Sequence, residues 1–150
     1  MAADHAWSVR ARGIGPGEVR VYARNQVLRV GKQASLRDAD AHPSAIEHLL
    51  GALAADLVEG FVAEAARRQL TVDATELRLT GSLDNVLVHL GVVGETGHAG
   101  LAHVTGTLYV TVDADERVLD ALWAATLARS PLYQTLSRAA EVDVRLKVTH

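Results

Sequence analysis

Residues 42–70 read HPSAIEHLLGALAADLVEGFVAEAARRQL, and this stretch decides the fold. It opens on Ser44-Ala45-Ile46-Glu47, the spacing of a capping box, in which the serine hydroxyl accepts from the Glu47 amide and the carboxylate reaches back to the Ser44 amide. About 26 residues of good helix formers follow with no proline among them, which predicts a helix about 39 Å long. From Leu49 to Ala55 every residue is apolar or small. The first half of the helix therefore lacks a polar face and is expected to be buried on most sides. Glu59, Glu64, Arg67 and Arg68 supply a polar face only later. Asp56 ends the apolar run. An unpaired carboxylate is costly to bury, so Asp56 must reach water, find a partner or take up a proton.

Upstream of the helix, three short runs alternate in the manner of strands: Ala6 to Ile14, Glu18 to Ala23 and Val27 to Val30. Gly15-Pro16-Gly17 and Arg24-Asn25-Gln26 connect them, which gives an antiparallel meander. Lys32 to His42 is polar and aperiodic, a loop into the helix. Downstream, Val72 to Thr80, Val86 to Val93 and His103 to Val112 read as strands, with a glycine-rich connection GETGHAG at residues 94–100. That connection lacks the spacing and the following helix of a phosphate loop. Asp113-Ala114-Asp115-Glu116 is a second capping signature and starts a helix to about Ala128. Ser130 suits an N-cap and Pro131 a first helical position, so a short helix follows. Glu141 to Val148 alternates as a closing strand. The expected class is α+β, one domain over residues 1–150, in the order βββ-α-βββ-αα-β.

Composition narrows the function. The chain is 49% hydrophobic and 22% charged, with a net charge of −3. Lys and Arg are scattered along the sequence, so neither nucleic acid nor an anionic membrane is expected as a partner. MAADHAWSVRAR lacks the apolar core of a signal peptide, and a cytoplasmic location is expected. No cysteine occurs, which excludes disulfides, cysteine metal sites and every thiol mechanism.

Two stretches carry a family resemblance. PSAIEHLLGALAADL resembles the central-helix motif of the OsmC/Ohr superfamily, the osmotically inducible and organic-hydroperoxide-resistance proteins. ALWAATLARSPLYQTLSRAAEVDVRLKV resembles its second signature, a helix followed by Cys-Pro or Ser-Pro, a short helix and a last strand. The resemblance covers nearly the whole chain. It implies an OsmC-like fold in which antiparallel sheets wrap long central helices in an intertwined homodimer, with sites at the subunit interface. It also implies two thiols, one attacking the peroxide and one resolving the sulfenic acid, assisted by an arginine and a glutamate. On this sequence the attacking position falls on Asp56, the resolving position on Ser130, the glutamate on Glu47 and the arginine on Arg24, with Arg20 and Arg29 as competitors.

Each of these residues also has a plain structural explanation. Glu47 is accounted for by the capping box, Ser130 by N-capping and Arg24 by a solvated turn. Glu47 and Asp56 lie about 180° apart on the helix and do not share a face. Asp56 shares its face with Leu49, Ala52, Gly60, Ala63 and Arg67, and either water or an ion pair with Arg24 would satisfy it. The histidines, among them His42, His48, His98 and His103, form no metal-ligand pattern, and no G-x-S-x-G elbow is present. The leading expectation is an OsmC-like protein without thiol peroxidase chemistry that binds a small, partly apolar ligand and needs no cofactor. The alternatives are a non-thiol enzyme using Asp56 as general acid or base, and a purely structural or partner-binding protein.

Overall fold

The computed structural model describes residues 5–32 and 41–149. It divides into two compact units, Met1–Leu49 and Leu50–His150. The first holds β1 (Arg10–Gly15), β2 (Glu18–Ala23) and β3 (Gln26–Val30), an antiparallel sheet in the order β1-β2-β3. The expected meander is therefore present. The turn between β2 and β3 is the pair Arg24-Asn25, with Arg24 at φ 53°. The loop expected from Lys32 to His42 lies, for residues 33–40, outside the described residues.

The register makes this sheet two-faced. Ala11 pairs with Val21 and Val21 with Leu28, and Gly13 pairs with Val19 and Val19 with Val30, so one face is apolar. None of the described residues of this unit is buried. An apolar sheet face with no buried residue is the kind of surface that marks an interaction site.

α1 (Ala45–Arg67) starts in this first unit and continues through the second. Its start follows the expected capping box: the Glu47 amide donates to Ser44 Oγ at 3.3 Å and the Ser44 amide to Glu47 Oε2 at 2.7 Å. It ends in a Schellman motif. Leu70 N donates to Ala65 O and Gln69 N to Ala66 O, both at 3.0 Å, with Gln69 left-handed at φ 58°. Leu53, Leu57, Phe61, Glu64 and Ala65 are its buried residues. The expectation of burial on most sides does not hold within one chain. Gly51, Ala52, Ala55, Val62, Ala63 and Ala66 are exposed, because this unit offers only one sheet surface to pack against.

The second unit contains β4 (Val72–Leu83), α2 (Val86–His89), β5 (Leu101–Val112), α3 (Glu116–Arg129), α4 (Pro131–Leu136) and β6 (Glu141–Val148). Its sheet runs β4-β5-β6, with β4 and β5 antiparallel and β5 and β6 parallel. Alternate residues of β5, namely Val104, Leu108, Val110 and Val112, turn into the core against Leu53, Leu57 and Phe61 of α1 and Leu119 and Leu122 of α3. Trp123 lies between the two clusters. Its ring is 6.3 Å from that of Phe61, and its Nε1 donates to Val144 O at 3.2 Å.

Two sequence expectations are corrected here. Val86 to Val93 is not a strand: Val86–His89 forms a single helical turn, and the order is βββ-α-β-α-β-αα-β. The apolar run Val86-Leu87-Val88 is too short to fix a period, and here the cap decides, since Asn85 Oδ1 accepts from Leu87 N at 3.0 Å. The capping signature at Asp113–Glu116 is also not realised. α3 begins later, with Asp115 at the N-cap and no side-chain cap bond, so Glu116 is the first helical residue and cannot reach back.

Candidate functional site

The break between α3 and α4 positions the site. Ser130 has extended backbone at φ −75° and ψ 113°, and Pro131 is the first residue of α4. Pro disfavours helical geometry in the residue before it, so α3 stops at Arg129. Ser130 then serves both helices. Its amide donates to Thr126 O at 3.0 Å, and its Oγ accepts from Tyr133 N at 3.0 Å.

The same hydroxyl donates to Asp56 Oδ2 at 2.5 Å, and Leu132 N donates to that oxygen at 3.2 Å. Asp56 thus finds partners, as its place in an apolar run demanded. It joins α1 to the α3–α4 junction, 74 positions away in sequence. The short O–H···O bond marks a charge-assisted pair. Ser130 is only 4% exposed, with its hydroxyl held as both donor and acceptor, an arrangement suited to positioning rather than to nucleophilic attack.

Below this pair lies an open cleft of about 310 Å³ between α1 and α3, lined by Asp56, Glu59, Gly60, Ala63, Glu64, Arg67, Thr126, Arg129 and Ser130. At the far end Glu64, 4% exposed, accepts from both Arg67 and Arg129 on one carboxylate oxygen. Burial raises its pKa, but the hydrogen bonds and charges of Arg129 and Arg67 outweigh burial and hold it below the ordinary carboxylate value. The helix spacing i,i+3 made the Glu64–Arg67 pair readable in the sequence. Nothing in the sequence brought in Arg129, which arrives through tertiary packing.

A pH prediction follows for Glu64. Its pKa is depressed on folding, so its stabilisation is present above the unfolded value of about 4.3 and is lost as pH falls through the lower folded value. Glu64→Gln is therefore expected to be less stable than the parent near neutrality. The gap should close below about pH 4. Urea midpoints from pH 3 to 7 check this, and a gap independent of pH would contradict it.

Of the other residues singled out by sequence, Glu47 is engaged in its capping box and Arg24 opens the β2–β3 turn, both in the first unit. Arg20 is paired with Glu18 at 3.3 Å. Several histidines have local partners: His48 Nε2 contacts Arg29 O at 2.9 Å, His98 Nδ1 accepts from Gly100 N at 3.1 Å, and His103 Nδ1 lies 3.2 Å from Glu141. Among the described residues no three His, Cys, Asp or Glu groups converge as metal ligands. Among the described residues no helix is long and apolar enough to cross a membrane.

Neither a protein-family model nor a curated protein matches the chain. Solved structures do match. An OsmC-like protein from Mycoplasma pneumoniae superposes with a TM-score of 0.84 at 16% identity, over 99% of this chain and 100% of that one. The organic hydroperoxide resistance protein OhrB of Bacillus subtilis gives 0.65 at 17% identity, over 97% and 100%. An organic hydroperoxide resistance protein from Vibrio cholerae, solved with captopril in one of its active sites, gives 0.67 at 13% identity, over 97% and 94%. The chain has the OsmC/Ohr fold, built without a single cysteine.

Proposed function

We propose that this chain is a thiol-free OsmC/Ohr-like protein, one domain over its length, that assembles as a homodimer and binds a small, partly apolar molecule in the cleft beneath Asp56 and Ser130. The observation that carries the reading is the Asp56–Ser130 hydrogen bond. The resemblance puts the attacking and the resolving thiol at these two positions. Here they hold a carboxylate and a hydroxyl bonded to each other, and neither can cycle through a sulfenic acid. A cleft lies beside them, and the Vibrio cholerae neighbour is described with captopril in one of its own active sites. A stress-related role is consistent with the hydroperoxide-resistance neighbours.

Two faces support the dimer. The exposed α1 face of Gly51, Ala52, Ala55, Val62, Ala63 and Ala66 is largely small and apolar, interrupted by Glu59, and suits approach by a second helix. The apolar face of the β1–β3 sheet is the second.

Native mass spectrometry of freshly purified protein tests this reading. Two chains plus a constant extra mass are expected. With cumene hydroperoxide and dithiothreitol, peroxide loss should match the buffer blank. A monomer at micromolar concentration sinks the dimer, and enzyme-like peroxide consumption sinks the reading that peroxidase activity is lost.

A further inference from the structure

The bulk charge argued against polyanions as partners, but strand register rearranges that charge. β1 to β3 carry Arg10, Arg12, Arg20 and Arg29, their turn carries Arg24, and Glu18 is the one acid in the segment. The segment Arg10 to Val30 therefore holds 5 − 1 = +4 charges. With a chain total of −3, the remainder holds −3 − 4 = −7. No lysine occurs in this segment.

The pairing then sorts these residues. Arg12 lies opposite Arg20, and Arg20 opposite Arg29, so three arginines form one row across the sheet. Neighbouring strands are about 4.8 Å apart, and the row spans about 10 Å. The next row is Arg10, Tyr22 and Val27, with the Arg10 guanidinium 4.6 Å above the Tyr22 ring. All of these share the face opposite the apolar one, since paired residues and alternate residues of a strand point the same way. Like charges set directly opposite destabilise a sheet. Glu18 pairs with Arg20 alone, and no ion pair involves Arg12 or Arg29 among the described residues. Three in-register guanidiniums with one acid between them are a cost to this sheet that an anion would relieve.

We propose that this face is a docking surface for single-stranded nucleic acid. Guanidinium forks match phosphate bidentately, which lysine does not. The exposed Arg10 guanidinium, seated over half-buried Tyr22, offers bases a planar cation to stack on. A lipid surface fits less well, because Val27 is the single aliphatic side chain in the two rows and stable membrane attachment needs an apolar anchor as well as charge. The acidity of the remaining chain confines contact to this face.

The test is fluorescence anisotropy of labelled 20-mers, oligo-uridine and oligo-thymidine, with the full chain. Binding is expected at 50 mM salt, with log K falling against log salt at a slope of about −2 for three phosphates. The triple variant R12Q/R20Q/R29Q should lose at least about tenfold and flatten that slope. R78Q and R145Q, on the second sheet and already paired with Glu76 and Asp143, should bind as the parent does. R12Q and R29Q singly, on the flanking strands, should each lose about two- to threefold, which keeps the test open if the triple variant misfolds. No binding at 50 mM salt overturns the proposal. So does unchanged binding by the single and triple variants. Row-dependent binding to phosphatidylserine vesicles without binding to either oligonucleotide also overturns it.

Discussion

Gly106→Ala is expected to cost about 3 kcal/mol or more, the range of a severe overpacking defect. Gly106 sits in β5, the middle strand of its sheet, opposite Leu79 on β4 and Val144 on β6. A Cβ there would lie 2.1 Å from Arg78 O and 2.6 Å from Leu79 Cδ2. The first obstacle is backbone carbonyl, which cannot rotate away as a side-chain tip can. β5 cannot retreat either, since it is hydrogen-bonded on both sides. Relief would have to come from opening the β4–β5 ladder, on which Val104, Leu108 and Val110 depend for burial. For a chain of this size the melting temperature should fall by about 6–12 °C. Gly81→Ala is the internal control. Its added Cβ meets only side-chain methyls, of Leu50 and Leu101, at 3.2–3.3 Å, and a much smaller loss is expected. Equal losses at the two positions would refute the backbone explanation.

Asp56→Ala is expected to cost about 2–4 kcal/mol. It removes one carboxylate oxygen that accepts from Ser130 Oγ and Leu132 N. Hydrogen bonds to charged groups contribute about 1.5–3 kcal/mol each, and the half-exposed position of Asp56 lowers the sum. Ser130, almost wholly buried, would lose the acceptor for its hydroxyl. Asp56→Asn retains an acceptor and should lose about half as much. Because the two residues act together, D56A/S130A should cost less than the sum of the single variants, with a coupling of about 1–3 kcal/mol. Urea unfolding of the four species measures it. Strict additivity would show that Asp56 and Ser130 do not stabilise the fold as a pair.

These predictions rest on features of unequal legibility. The capping box at Ser44 and Glu47, the Ser130-Pro131 restart and the alternation of β5 and β6 were readable because each is a local rule within a few residues. The strand expected over Val86 to Val93 is not formed because its short apolar stretches satisfy both periods, and only the Asn85 cap selects the helical turn at Val86–His89. The capping signature before α3 failed for a related reason. The N-cap is Asp115 rather than Asp113, which leaves Glu116 in the first turn and unable to close the box. Asp56 was identified as the residue needing an explanation, but its partners were not, since burial in an apolar run shows a need without showing what meets it.

The sequence alone determined that there is no thiol chemistry, that a long helix begins at Ser44, and that the fold class is α+β. Each is a statement of composition or of near-neighbour stereochemistry, which needs no distant contact. Only the tertiary structure decided which groups meet. Asp56 reaches Ser130 across 74 positions and Glu64 reaches Arg129 across 65. The three arginines of the N-terminal sheet come into one row because strand register, set by two turns, fixes which residues stand opposite. Registers and helix crossings are settled by packing the whole chain at once, and no local window of sequence contains them.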